Sequence, residues 1–414
     1  MRTILHSDLN NFYASVECLR NPEIRDKPVV VVGSKEDRHG IVLAKNLIAK
    51  SAGVSTGDVW WEAKRKCGYE LVEVKADFAA YLDVSRAVRR IYEDYTDKIE
   101  AFGIDECWLD VTELAAHKSG EETALEIRSR IKKELGLTVS IGVSWNKIFA
   151  KLGSDIKKPD AVTVISRDNF RQIVWPLPAE ELLYVGRATK AKLNRMGIFT
   201  IGDLAETDKN ALVSRLGKWG AWLHDFANGQ DASRVVKTSE EQNVKSIGNS
   251  LTVWRDLNNL EEARMVIFML ADSVAARMRE SGLFLARTVH VFARGSDLAS
   301  FHKQGKLPRP TGAAREIAQT AVSLFEKVYS WETPLRGLGV SVSDFYFGGI
   351  QTDMFSDCIK ADKQKRLDEA VDKIRKKYGN KIIQLAVVHK DSRLKELDIK
   401  GEHIIHPYSF FRHN

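Results

Sequence analysis

Arg2-Thr3-Ile4-Leu5-His6-Ser7-Asp8 is apolar and β-branched up to a carboxylate, and the run breaks at Asn10-Asn11. This pattern predicts a short buried strand with an acid at its end. Two more acids stand side by side at Asp105 and Glu106, inside Gly103-Ile104-Asp105-Glu106. Lys98-Ile99-Glu100-Ala101-Phe102 precedes them and Cys107-Trp108-Leu109-Asp110-Val111 follows, so the segment reads as a hairpin with acids near its tip. Successive strand side chains point to opposite faces, so adjacent acids converge only where the chain turns, and Gly103 permits the turn. Three clustered carboxylates repel unless cations neutralise them, and hard oxygen ligands suit Mg²⁺ or Mn²⁺. Two such ions about 3.5–4 Å apart clamp the attacking and leaving oxygens of a phosphoryl transfer. From the spacing alone, three surface acids in unrelated loops remain an equal alternative.

The 414 residues, 44% of them hydrophobic, suffice for several cored domains. Cys18, Cys67, Cys107 and Cys358 show neither CxxC pairing nor metal-ligand spacing. That usage points to a reducing cytoplasm rather than a disulfide scaffold, with Cys107 a small core residue. The chain opens on a strand rather than a signal peptide, and no apolar run approaches membrane-spanning length, so no membrane partner is expected. The net charge of +7 is uneven. Residues 1–243 hold 36 Lys/Arg against 36 Asp/Glu, and residues 244–414 hold 27 against 20. A neutral half and a basic half suit a separate module that grips phosphates, although a modest excess also fits an ordinary solvated surface.

Blocks around the acids narrow the choice. His6-Ser7-Asp8-Leu9-Asn10-Asn11-Phe12-Tyr13-Ala14-Ser15-Val16-Glu17 resembles the opening motif of the Y-family translesion DNA polymerases, the DinB/UmuC superfamily of bacterial polymerase IV/V type. Gly103–Asp110 is similar to their second metal motif, and 141–151 with Lys157-Lys158-Pro159 to their third. Order and separations agree, and the resemblance runs from residue 1 to about 345.

The resemblance implies an α+β multidomain fold shaped like a right hand. Its palm would be 1–11 with 74–165, small fingers 12–73, and a helical thumb 166–232. A linker, 233–243, would lead to a β-α-β-β-α-β little finger at 244–345 and a tail at 346–414. Periodicity supplies the elements: a helix over 44–52, helices over 81–95 and 123–135, and a strand over 138–143. Strand, hairpin, helices on one face and the returning strand make the palm. Residues 184–193 and 196–204 look like a helix-hairpin-helix, with Tyr184 where the first glycine of the usual pair would stand. A packing turn in a helical thumb is an equally open reading of that hairpin. Residues 233–243 are polar and read as a tether. Beyond it, helices 261–280 and 313–328 alternate with strand patterns, and Arg255, Arg287, Arg294 and Lys303 are candidate phosphate contacts.

By the same resemblance, Asp8, Asp105 and Glu106, with the Leu9 carbonyl, hold two Mg²⁺ ions, for which Mn²⁺ can substitute. Asn10, where relatives carry an acid, is not a ligand. Tyr13 matches the steric gate that excludes a ribose 2′-hydroxyl. Phe12, Tyr13, Ala44, Lys50 and Lys158 are the nucleotide-binding candidates. Leu47 and Lys50 replace a Tyr and an Arg that commonly touch the triphosphate. Gln351, Asp353, Met354 and Phe355 look like a sliding-clamp binding motif. The expected partners are primer-template DNA, deoxynucleoside triphosphates and the sliding clamp, with the protein a monomer. Two readings compete: a DNA- or clamp-bound scaffold without activity, which the intact carboxylates oppose, and a palm-fold nucleotidyl cyclase, which needs no duplex grip.

Overall fold

In the computed structural model, residues 2–33, 40–238, 240, 244–283, 285–347 and 358–402 are described, with main chain only at 358–362, 365, 401 and 402. The described residues divide into two compact units, one of residues 2–33 and 41–240 and the other of residue 40 with 244–402. No helix among the described residues is long and apolar enough to cross a membrane.

The first unit begins with β1 (Ile4–Leu9), buried along its whole length, and α1 (Phe12–Arg20). A three-stranded sheet follows, from β2 (Val29–Val32), β3 (Val42–Lys45) and, after α2 (Leu47–Ser51) and α3 (Trp60–Cys67), β4 (Val72–Lys75), in the order β3-β2-β4. The helix expected over 44–52 therefore begins only at Leu47. Val42 to Lys45 pair with β2, and the Asn46 side chain accepts the Ala49 N–H at 2.9 Å, which starts the helix after it. Ala44 and Lys45 are strand residues.

The chain continues through α4 (Phe78–Glu93), β5 (Ile99–Ala101), β6 (Glu106–Asp110), α5 (Gly120–Leu135), β7 (Val139–Ser144), α6 (Lys147–Ile156) and β8 (Val162–Val164). With β1 these strands make a five-stranded sheet ordered β5-β6-β1-β7-β8. Ser119 and Glu122 form a capping box that starts α5. The expectation of helices on one face is corrected. Leu5, Leu9, Leu109, Ile141 and Val143 share a core with α1, α4 and α5, whereas Ile4 and Trp108, of opposite parity, pack with Ala150 of α6. Helices therefore cover both faces. Gly142 is the cause: a Cβ there would lie 2.0 Å from the Ala150 carbonyl oxygen and 2.5 Å from the Ser154 nitrogen. Only a glycine lets α6 press its backbone onto β7. The core shared by α1 also means that this helix packs with the large sheet, although it falls in the segment expected to be fingers.

A helical stretch follows: α7 (Phe170–Ile173), α8 (Arg187–Arg195), α9 (Ile201–Glu206), α10 (Lys209–Leu216) and α11 (Lys218–Ala227). Tyr184 stands at φ 74 and Gly197 at φ 77, on either side of α8. The stretch read as a tether is not loose in its first half. Val235 is 4% exposed in the cluster with Ile4, Trp108 and Ala150, and Val236 N–H donates to Glu100 at 2.9 Å. Lys237 pairs with Asp97 at 2.7 Å. The adjacent pair Val235-Val236 inside a polar run was the available signal.

The second unit holds β9 (Ser246–Leu257), α12 (Leu260–Glu280), β10 (Ala286–Gly295), β11 (Ser300–Thr311), α13 (Ala314–Glu326) and β12 (Leu335–Phe345). Its antiparallel sheet, ordered β11-β10-β12-β9, has the anticipated β-α-β-β-α-β sequence. Then come α14 (Cys358–Tyr378), α15 (Ser392–Glu396) and α16 (Ile399–Glu402). Val388, Leu394 and Ile399 are 3%, 2% and 5% exposed within this unit's core. Arg375 pairs with Asp272 of α12 at 2.9 Å and Arg279 with Asp372 at 2.5 Å. The tail is thus built into the second unit.

Candidate active site

The site stands on the edges of three strands. β1 and β6 run antiparallel with Asp8 directly opposite Glu106, and β1 and β7 with Asp8 opposite Ser140. Leu9 N–H donates to the Asp105 carbonyl at 3.0 Å, which ties the end of β1 to the turn. The β5–β6 hairpin closes through Phe102 N–H and Gly103 N–H, both donated to the Glu106 carbonyl. Gly103 serves by its size, not by a left-handed conformation: a Cβ there would sit 3.2 Å from Asp105 Oδ1 and from Glu106 Cγ. Asp8, Asp105 and Glu106 are thereby brought to one place.

Their environments differ. Burial, and then the charges of Asp8 and Glu106, push the Asp105 carboxyl up to about 6. Burial would also raise Glu106, but His6 and Lys151 beside it prevail and hold it down at about 2. His6 is fully buried, with Nε2 3.4 Å from Glu106 Oε2 and Nδ1 2.9 Å from Ser154 Oγ. Burial lowers its basicity. Among the described residues, no group of three or more His, Cys, Asp or Glu side chains is arranged so that it could hold a metal ion. Lys151 lies among the acids instead, 2.7 Å from Glu106 Oε2 and 3.1 Å from Asp8 Oδ2. Lys158 reaches Asp8 Oδ2 at 2.9 Å and Asp155 Oδ1 at 2.8 Å. The donor set, all hard carboxylate oxygen with a buried acid raised by its neighbours, fits divalent cations.

Asn10 is 5% exposed and committed elsewhere: Oδ1 accepts the Asp160 N–H at 2.8 Å and Nδ2 donates to Ser140 Oγ at 2.9 Å. It ties the end of β1 to the loop after Lys158. Phe12 is 3% exposed and packs in the core. Tyr13 is half-buried and stacks on Tyr81, with ring centroids 4.4 Å apart and 12° between planes. Tyr81 OH donates to the buried Glu17 at 2.6 Å. Burial and the nearby Asp105 charge raise the Tyr13 phenol to about 12.

Ala44 packs at the margin of the same core as Tyr13. On α2, Leu47 is 47% exposed and Lys50 is exposed. Asn46 has no group to spare, since Oδ1 also accepts the Val29 N–H and Nδ2 donates to the Lys27 carbonyl. Lys45 Nζ donates to Thr56 Oγ1 at 3.0 Å. The sequence reading gave no role to Lys151, Asp155, His6 or Tyr81. The Lys151/Asp155 spacing of four, one face of α6, was the signal for the first two.

In the helical stretch, Gly186 precedes α8, while Tyr184 keeps a glycine-type φ and packs on Trp219 and Phe226 at 5.7 and 6.2 Å. On the second unit's sheet, Arg294 shares a face with His290 and Phe292, whereas Lys303 pairs in register with Val291 on the helix-covered face. The open face forms a concavity of about 830 Å³ lined by Ser250, His290, Phe292, His302 and Ser341. Arg255 is held by Glu262 at 2.7 Å. Gln351, Asp353, Met354 and Phe355 lie outside the described residues.

Residues 7–155 match the model of the impB/mucB/samB family, and residues 244–354 match that of its C-terminal domain. Residues 181–231 match the thumb domain of DNA polymerase-iota. DNA polymerase IV of Acetivibrio thermocellus is 52% identical over 399 residues, spanning 96% of this chain and 100% of that protein. DNA polymerase IV 1 of Bacillus subtilis is 36% identical over 402 residues, 95% of each chain. Among solved structures, a Y-family DNA polymerase chimera superposes with a TM-score of 0.73 over 84% of this chain and 100% of its own. At 24% identity, that likeness speaks for the fold alone.

Proposed function

The chain belongs to the impB/mucB/samB family of Y-family DNA polymerases, and from that premise we propose low-fidelity translesion synthesis by two-metal nucleotidyl transfer to a primer 3′-hydroxyl. It is a DNA-directed DNA polymerase that depends on divalent metal and acts on DNA and nucleotides. The observation that carries the finer reading is the register that sets Asp8 opposite Glu106 with Asp105 in the adjoining turn. Asp8, Asp105 and Glu106, with the Leu9 carbonyl, would hold two Mg²⁺ ions, or Mn²⁺ in their place. Such ions polarise phosphoryl oxygens and lower the pKa of an attacking hydroxyl.

The chain's own residues do the positioning. His6 and Ser154 fix Glu106 from behind, and Asn10 holds the loop that carries Lys158. Lys158 is placed to meet triphosphate charge, with Lys50 and the region of Ala44 and Phe12 on the other side of the nucleotide. Tyr13 is the steric gate, backed by Tyr81. In domain terms we assign the palm to 1–11 and 74–165, the fingers to 12–73, the thumb to 166–232, the linker to 233–243 and the little finger to 244–345. The concave open face of the second unit's sheet is the surface we assign to DNA backbone, and 351–355 the segment we assign to the sliding clamp. The protein would act as a cytoplasmic monomer.

Asp105→Ala is expected to abolish primer extension while primer-template binding stays close to the parent's, because the carboxylate serves the ions and not the duplex. Extension within tenfold of the parent would refute the metal assignment.

A further inference from the structure

The acids of the site are already neutralised by the chain. Lys151 Nζ lies 2.7 Å from Glu106 Oε2, 3.1 Å from Asp8 Oδ2 and 3.3 Å from Asp155 Oδ2. Its side chain is only 16% exposed. An ammonium between the two carboxylates that face each other across β1 and β6 occupies the electrostatic position of a divalent ion. It and such an ion could not share that position, since two cations so close together in a partly buried site repel.

We propose that Lys151 is the resident counter-ion of the carboxylate cluster, which a divalent ion displaces in order to bind, and that Asp155 receives the displaced ammonium. The inference rests on the reading that Asp8, Asp105 and Glu106 hold the metal. Lys151 and Asp155 are four residues apart on α6, so they share a face. The ammonium already touches Asp155, and a flexible four-carbon stem lets it move there by changing rotamer, without moving the helix. Lys158, 2.8 Å from the other Asp155 oxygen, keeps that carboxylate turned toward the site. Burial works against a charged lysine here, but Asp8, Glu106 and Asp155 outweigh it and raise its pKa, so the group is a full cation. The arrangement keeps the acids from repelling each other before metal arrives, and it sets the affinity of the site by competition.

The test uses the full chain with Mn²⁺ alone as the probe, read by the electron paramagnetic resonance of free Mn²⁺ and by thermal unfolding. Lys151→Met should bind Mn²⁺ about tenfold more tightly than the parent and gain more in Tm from it. Lys151→Arg, which keeps the charge, should not tighten binding, and Asp155→Asn should weaken it. Parental or weaker Mn²⁺ binding by Lys151→Met, with binding lost in Asp105→Ala, overturns the displacement and leaves the metal reading intact. Binding retained in Asp105→Ala overturns the metal reading itself. If Lys151→Met does not fold without metal, Mn²⁺ should restore folding, and failure of that rescue also overturns the proposal.

Discussion

Tyr13 and Phe12 are neighbours with opposite surroundings, and their substitutions should separate cleanly. Tyr13→Ala is expected to raise ribonucleotide incorporation sharply, because the ring held against Tyr81 is removed from the sugar side. Phe12→Ala should instead cost about 3–5 kcal/mol of stability, as truncation of a core aromatic does. Ribonucleotide discrimination undiminished in Tyr13→Ala would place the gate elsewhere. Asp105 supplies a pH test. Its carboxyl is raised from 3.8 to about 6, so between those values the folded protein holds a proton that the unfolded chain has released. In the metal-free protein this stabilisation is present at the acid end and is lost as pH rises through about 6. Metal requires the ionised acid, so titration calorimetry in buffers of different ionisation enthalpy should show protons released near pH 6 and none well above it. A proton count independent of pH would mean that the ion avoids Asp105. The acids were legible in the sequence because each ends or begins an apolar run. Lys151 and His6 were not, because burial and charge pairing across β1, β6 and α6 appear only after folding.

At the level of the element, α2 is the helix that the proposed site would set against the triphosphate, and it lacks the usual side chains. Leu47 is exposed and offers no hydrogen bond, and Asn46 is spent on capping and on β2. A charge-assisted hydrogen bond to phosphate contributes on the order of 1.5–3 kcal/mol. Leu47→Tyr combined with Lys50→Arg is therefore expected to tighten the binding of the correct nucleotide in pre-steady-state titration, with lesion preference unchanged. An unaltered dissociation constant would point to Lys45 as the phosphate contact. The long helices and three of the four strands in the second unit were readable from periodicity, since each has an apolar face, whereas β11, mostly exposed, was not. The start of α2 was misjudged because alanine and lysine suit strand or helix, and pairing with β2 decides. The placement of α6 was hidden for a different reason: a contact made by a missing side chain leaves no hydrophobic period to read.

For the whole molecule, the tail is the part that sequence described least. Its apolar residues recur irregularly, yet Val388, Leu394 and Ile399 complete the core around α12. Each buried side chain of this size contributes about 1.5–3 kcal/mol. Truncation after residue 357 should lower the Tm of the second unit, whereas alanine at Met354 and Phe355 should leave Tm unchanged and remove clamp-stimulated processivity. Undiminished clamp binding by the double variant would return that segment to being a plain connection. Multiple domains were foreseeable from chain length and from the basic second half; that the tail belongs to one of them required its packing. The contact at Gly142 has a consequence for anyone surveying genomes for active copies of this gene. A Gly142→Ala allele would retain all three acids, both lysines and the gate, and would pass any check for conserved motifs. Its protein would nevertheless have α6 pushed off β7, carrying Ser154 away from His6 and Lys151 away from Asp8 and Glu106. Such an allele would encode a destabilised protein, a defect visible only to someone who asks how close two backbones lie.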